Sequence, residues 1–120
     1  VYDIDVDLVC PHHLLPVRLV IHIGYLPDGK ILGLSKFARV GKEVAKPPKT
    51  QEQYVKDLVD VFVEHLKPKW LMVLGIGIHS CMTCRGVLSK SSKTSTNAIY
   101  NGVDKETHRS LKDEFMRVIK

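Results

Sequence analysis

Apolar and polar residues alternate at the start of the chain. From Tyr2 to Leu8 every second residue is apolar and the residues between them are aspartates, which is the period of a strand with one solvent-facing side. The stretch VRLVIHIGYL, residues 17–26, predicts a second strand. The turn-forming residues 27–29, PDG, predict that this strand continues as a hairpin into KILGLS, residues 30–35.

The spacing of apolar residues then becomes helical in two consecutive segments. Ser35 is the predicted N-cap of a first helix with the sequence KFARVGKEVAK, and Pro47–Pro48 must end it. Thr50 and Gln53 form a capping-box pattern that predicts the start of a second helix. That helix is expected to stop near Lys67–Pro68.

The last third of the chain predicts more strand and one further helix. The stretch WLMVLGIGIHSCMTCRGVL, residues 70–88, is typical of a long strand or a strand pair. Asp104 is the expected cap of a helix over residues 105–120, in which Leu111 and Phe115 share a face. The order of two strands, two helices, two strands and one helix predicts a single α+β domain, residues 1–120, with an antiparallel sheet.

Composition narrows the class of protein. The 120 residues are 44% hydrophobic, and no apolar run approaches the roughly 18 residues of a membrane span. The opening residues lack the basic-then-apolar pattern of a secretory signal, and three cysteines are an odd number, so reduced thiols in the cytoplasm are expected. A net charge of +5 favours an anionic partner, whereas an aromatic content of 7% argues against a nucleic-acid-binding surface.

Cysteine and histidine recur at spacings that suit a metal ion. Cys10-x-x-His13 and Cys81-x-x-Cys84 together could form a closed four-ligand structural zinc site. If residues 79–85 are extended, however, Cys81 and Cys84 point to opposite sides. Cys10, His13 and Cys81 would then leave a vacant fourth position, which is typical of a catalytic zinc.

Several motifs resemble those of GTP cyclohydrolase I. They are CPHHLLP, HIGYLPDGKILGLSKFAR, QEQ, HSCMTCRGV and SSKTST, which occur in the order and at the spacings of that family from Tyr2 onward. The resemblance implies the tunnelling fold, an α+β unit of four antiparallel strands with two helices inserted between the strand pairs. It also implies a homo-oligomer, commonly a decamer of two stacked pentamers, and GTP as the substrate.

The resemblance also implies a role for each matched residue. Zn²⁺ would be held by Cys10, His13 and Cys81. His12 and His79 would transfer protons, and Ser35 would act in the later ribose rearrangement. Gln51 and Glu52 would bind the guanine, and Lys36, Arg39 and Arg85 the triphosphate. A carboxylate suits the guanine edge because N1–H and the exocyclic amine are adjacent donors.

The chain departs from the family pattern in three places. Pro11 stands where the family usually has Glu, and AKPPKTQEQ replaces an arginine-containing helical stretch. The family's N-terminal helical region has no counterpart in the 120 residues, so a short form is expected. Two alternatives therefore stay open: a relative acting on a different purine nucleotide, and a non-enzymatic zinc-stabilised basic module that binds nucleic acid.

Overall fold

Four strands form one antiparallel sheet with helices on both of its faces. The computed structural model describes residues 1–11, 14–79 and 93–119. The elements are β1 (Ile4–Val9), β2 (Pro16–Leu26), α1 (Leu34–Val44), α2 (Gln51–Leu66), β3 (Trp70–His79), β4 (Thr94–Asn101) and α3 (Lys105–Val118). The strands lie in the order β1-β2-β3-β4, and each neighbouring pair is antiparallel. The predicted α+β class and element order are confirmed.

Two predictions about the region before α1 are wrong. Residues 30–33 form no strand, because β1 and β3 already occupy the two edges of β2 and leave none for a hairpin partner. Gly33, with extended backbone angles, is the N-cap of α1, so Ser35 lies inside the first turn of the helix. Residues 27–33 instead cross from the end of β2 to the helix layer.

The boundaries of α2 follow the predicted caps. The side chain of Thr50 accepts a hydrogen bond from the backbone N–H of Gln53 at 3.2 Å, which satisfies one of the free N–H groups of the first turn. Lys67 ends the helix with a left-handed φ of 48°. Of the predicted strand over residues 70–88, Trp70–His79 is β3, and the remainder lies outside the described residues.

The main core lies between the sheet and the pair α1 and α2. Alternate residues of β1 face this core, as the sequence period predicts. Aromatic rings join the two helices to the sheet: the ring centroids of Phe37 lie 5.5 Å from Tyr25 and 5.3 Å from Phe62. The hydroxyl of Tyr54 donates to the carbonyl of Gly41 at 2.9 Å and links α2 to α1.

Helix α3 covers part of the other face of the sheet. Phe115 packs against Gly24, where a Cβ would lie 2.4 Å from the Phe115 ring. The indole N–H of Trp70 donates to Nδ1 of His108 at 2.9 Å. No helix in the described part of the chain is long and apolar enough to cross a membrane.

Candidate active site

Strand ends that lie next to predicted site residues meet at one end of the sheet. Val9 pairs with Pro16 and Val17 pairs with His79, so the end of β1, the start of β2 and the end of β3 lie side by side. Cys10 follows directly on β1. We call this end of the sheet the Cys10 end. We call the opposite end, where Leu26 pairs with Trp70, the aromatic end.

Cys10 lies at the point where the chain reverses direction. Its backbone N–H donates to the carbonyl of Leu15 at 2.9 Å, and its carbonyl accepts from the N–H of Leu14 at 2.8 Å. Leu14 adopts a left-handed φ of 52°. The Cys10 side chain is half-buried and packs against the main core. A thiol held at a closed turn is a suitable first ligand for a metal ion.

The N-terminus of α2 is fixed at the same end. The N–H of Lys49 donates to the carbonyl of Val9 at 3.2 Å, which ties this segment to the residue before Cys10. The Lys49 ammonium lies 3.0 Å from Oδ2 of Asp57. Burial opposes ionisation of Asp57, but hydrogen bonds from Lys49 and Gln53 outweigh it and lower the pKa of the carboxyl.

The two predicted purine-binding residues lie in different environments. Gln51 is buried, and its amide nitrogen donates to the carbonyls of Gly75 and Thr94 and to the hydroxyl of Thr96. Glu52 is exposed in the first turn of α2. A carboxylate at a helix N-terminus stays available to a ligand and is favoured by the helix dipole. Direct contact of either side chain with a purine stays a prediction.

The predicted ribose and phosphate residues lie on the half of α1 that is nearer the aromatic end. Ser35, Lys36 and Arg39 are exposed on the first half of α1. Phe37, between them, packs on Tyr25, eight positions along β2 from the Val17 that pairs with His79. At roughly 3.3 Å per residue that is about 26 Å. The structure therefore does not bring these residues to the Cys10 end of the same chain.

The remaining predicted residues fall outside the described part of the chain. These are His12, His13, Cys81 and Arg85, together with the side chain of His79 and the alternative ligand Cys84. Within residues 1–11, 14–79 and 93–119, no group of three His, Cys, Asp or Glu side chains is placed to hold a metal ion. The zinc ligand set stays a prediction, and Cys10 is its described member.

Sequence reasoning missed the support around this end of the sheet. The Lys49–Asp57 pair and the close approach of α2 to Gly75 and Gly77 were not predicted. Two signals were present. Glycine at alternate positions of a strand indicates a close neighbour on one face. Gln51 also continues the buried face of Tyr54 and Leu58 by one helical turn.

Comparison with known proteins first defines the class of fold. A crystal structure of an archaeosine synthase QueF-Like protein in the apo form superposes with a TM-score of 0.67, covering 83% of this chain and 90% of that chain. The sequence identity is 16%, so this likeness shows the fold alone. The expected tunnelling-fold unit is confirmed. The family model for GTP cyclohydrolase I matches residues 1–120, and the chain belongs to that family.

Relatives named GTP cyclohydrolase 1 agree with this assignment. The chain is 40% identical over 117 residues to that of Clostridium perfringens strain 13, covering 98% of this chain and 62% of the relative. It is 40% identical over 121 residues to that of Listeria welshimeri, covering 100% of this chain and 63% of the relative. The chain thus spans less than two thirds of the length of these curated relatives.

Proposed function

We propose that the protein hydrolyses the guanine ring of GTP at C8 in a zinc-dependent reaction that releases formate and gives 7,8-dihydroneopterin triphosphate. Membership of the GTP cyclohydrolase I family supports the reaction class. The proposal rests on one observation: the fold brings the end of β1, the first turn of α2 and the end of β3 together at the Cys10 end of the sheet. Cys10 follows the first of these elements, Gln51 and Glu52 begin the second, and His79 is the last residue of the third.

The donor set suits zinc. Two thiols and one imidazole, from Cys10, His13 and Cys81, would hold the ion and leave one position open, as in catalytic zinc sites. When bound, the ion supplies a water activated for attack near neutral pH.

The chain's own residues orient the purine and move protons. The Glu52 carboxylate accepts from N1–H and the exocyclic amine of guanine, which sets the ring's orientation at the first turn of α2. His12 and His79 carry protons to and from the ring nitrogen and the leaving formyl group, because imidazole titrates near neutral pH. Ser35 acts in the later ribose rearrangement.

We propose that a second copy of the chain supplies the triphosphate contacts. Phe37, which lies between Lys36 and Arg39, packs on Tyr25 near the aromatic end, so both cations are exposed away from the Cys10 end of the same chain. A neighbouring copy can present its α1 to this Cys10 end, where Arg85 would add a further cation. The protein is therefore proposed to be a homo-oligomer, a decamer of two stacked pentamers, that supplies pterin, folate or 7-deazaguanine synthesis in the cytoplasm.

The reaction itself is tested with purified protein, zinc and GTP. We expect one equivalent of formate per GTP consumed and the absorbance of a pterin after oxidation. Consumption of GTP with release of phosphate and no formate would contradict the proposal. A parallel incubation with ATP is the control, because adenine lacks the donor edge that Glu52 is proposed to bind.

Measurements of zinc content distinguish the roles of the two adjacent histidines. His13→Ser is expected to lose zinc and all turnover. His12→Ser should retain one zinc per chain and lose about a hundred- to ten-thousandfold in rate, the usual contribution of general acid–base catalysis. Elemental analysis and formate release are measured on both variants, with folding checked by circular dichroism. Zinc retained in His13→Ser and lost in His12→Ser would reverse the assignment.

The same measurement separates the two possible ligand sets. Cys81→Ser should lose zinc and Cys84→Ser should keep it, because the proposed set uses three protein ligands. Equal zinc loss in both variants would support the closed four-ligand structural site instead.

A further inference from the structure

A buried amide joins the first turn of α2 to two strands at the Cys10 end. Gln51 is 2% exposed, and its Nε2 donates to the carbonyl of Gly75 at 3.2 Å, the carbonyl of Thr94 at 2.9 Å and Oγ1 of Thr96 at 3.0 Å. In the β3–β4 ladder Gly75 faces Thr96, and Gly77 faces Thr94. The amide therefore spans two consecutive pairs of this ladder.

Glycine in β3 gives the Gln51 side chain its space. A Cβ at position 77 would lie 2.4 Å from Oε1 of Gln51, closer than any real contact allows. A Cβ at position 75 would lie 3.2 Å from Val55 on the same helix. Neither glycine is among the described residues with positive φ, so close approach and not backbone conformation accounts for glycine here.

The same turn of α2 is also held from β1. The backbone N–H of Lys49 donates to the carbonyl of Val9, next to Cys10, at 3.2 Å. Glu52 follows Gln51 directly and projects from a turn that is fixed on both sides. The backbone position of Glu52 relative to Cys10 and to the end of β3 is thus determined by the contacts of its neighbours.

We propose that Gln51 is a positioning residue, whose buried amide fixes the first turn of α2 so that the Glu52 carboxylate meets the guanine edge in register with the residues that open the ring. This inference rests on the proposed function. It replaces direct purine contact by the Gln51 amide nitrogen with an indirect role, because that nitrogen already has three protein acceptors around it.

A packing role alone does not account for glutamine at this position. A methionine of similar volume would fill the same space without burying an amide, whereas removing the amide leaves two strand carbonyls without this donor. The amide is directional, and its acceptors come from both β3 and β4. It therefore specifies where the turn lies, which an apolar side chain does not.

The test is a double-mutant cycle between Gln51 and Glu52. Gln51→Met is expected to lower kcat/KM for GTP about ten- to a hundredfold, since a displacement of about 1 Å at a site can cost that much. In a Glu52→Ala background the same change should cost less than about twofold, because the group being positioned is already gone. Equal losses in both backgrounds would overturn the proposal. Residual rates are followed as formate release at high protein concentration.

Gln53→Met is the matched control. Gln53 is an exposed glutamine in the same turn, and its side chain donates to Asp57 and to no strand residue that the structure describes. Its replacement should leave kcat/KM within about twofold of the wild-type value. A loss as large as that of Gln51→Met would show that any change in this turn is damaging, and would overturn a specific role for Gln51.

Two further measurements test the proposal if Gln51→Met does not fold or if the protein does not act on GTP. Thr96→Val removes one acceptor of the Gln51 amide and keeps the shape of the side chain. It replaces Gln51→Met if that variant does not fold, and we expect kcat/KM to fall about two- to fivefold. Hydrogen exchange of the amides of residues 50–54 should become at least about tenfold faster in Gln51→Met and unchanged in Gln53→Met. Unchanged exchange in Gln51→Met would overturn the positioning role even if the protein does not act on GTP. A wild-type protein that releases no formate would instead overturn the proposed function, and the exchange result would then decide the role of Gln51 by itself.

Discussion

The two ends of the sheet are packed with different kinds of residues. At the aromatic end, Phe37 contacts Tyr25 and Phe62, and Trp70 is buried under α3. At the Cys10 end, the corresponding space holds a buried glutamine amide and glycines in β3. Rings fill volume and contribute to stability, whereas buried amides and missing side chains do so less efficiently.

This difference indicates that stabilising aromatic packing and fixed buried polar groups are concentrated at different ends of the sheet. The aromatic end can hold the fold together while the Cys10 end carries polar groups in fixed positions. Helix α1 begins near the aromatic end, where Phe37 packs on Tyr25, and ends at Val44. Lys49, which contacts Val9 at the Cys10 end, lies in the connection that follows α1. Under the proposed function, each end of one chain would supply half of a complete site.

The largest expected effect comes from the carboxylate at the Cys10 end. Glu52→Gln places a donor amide against the guanine donors, and we expect kcat/KM to fall about 10⁴-fold with the unfolding free energy unchanged within about 0.5 kcal/mol. Glu64→Gln, an exposed change near the other end of α2, is the control. Normal turnover of GTP by Glu52→Gln would remove Glu52 from the site and break the division between the ends.

The next largest effect is on stability at the aromatic end. Phe62 is 1% exposed and packs against Phe37, so Phe62→Ala should lower the unfolding free energy by about 4 kcal/mol through loss of burial and cavity formation. Denaturant unfolding measures this change. Phe62→Leu should recover most of it, and turnover per folded chain should stay near normal in both. A loss of turnover per folded chain with unchanged stability would show that this aromatic packing does not serve to stabilise the fold.

A smaller effect is expected where α3 meets the sheet. Gly24→Ala places a Cβ 2.4 Å from the Phe115 ring and should cost about 2 kcal/mol of unfolding free energy. Gly33→Ala, which would have no heavy atom within 4 Å of its Cβ, is the steric control, and because Gly33 is the N-cap of α1 it should cost no more than about 1 kcal/mol. Adding Phe115→Leu should relieve part of the cost by freeing space. If the two changes are simply additive, the close approach does not determine how α3 packs.

The smallest expected effect is a dependence of the unfolding free energy on pH, caused by His22 in the middle of the sheet. Burial lowers the pKa of His22, and the nearby Asp3 only partly offsets this. The folded state thus favours the neutral ring, whose Nδ1 accepts from the backbone N–H of Asp3 at 3.1 Å. Stability from this group is complete above the ordinary histidine pKa of about 6.5 and falls as the pH drops below it. His22→Asn should flatten the slope of unfolding free energy between pH 7 and 5, and an unchanged slope would assign the dependence to other groups.

The sequence predicted the elements better than their relative positions. Alternation in β1 and the Thr50 cap are local signals, and both predictions hold. The start of α1 was misplaced because Ser35 is a good cap by type, whereas Gly33 lies where the chain leaves its extended path. The burial of Gln51 and the distance of Arg39 from Cys10 depend on how helices lie on the sheet. Local sequence patterns contain little of that information.

Complementation between two inactive variants tests the central claim, that each complete site takes its Cys10 end and its α1 cations from different chains. One variant is Glu52→Gln, and the other combines Lys36→Ala with Arg39→Ala. Each is expected to be inactive alone. When equal amounts are unfolded and refolded together, about one quarter of the sites in a mixed closed ring should combine two intact halves, and formate release should return to about that fraction of the wild-type rate. A mixture that assembles into mixed oligomers and stays as inactive as its parts would contradict the account.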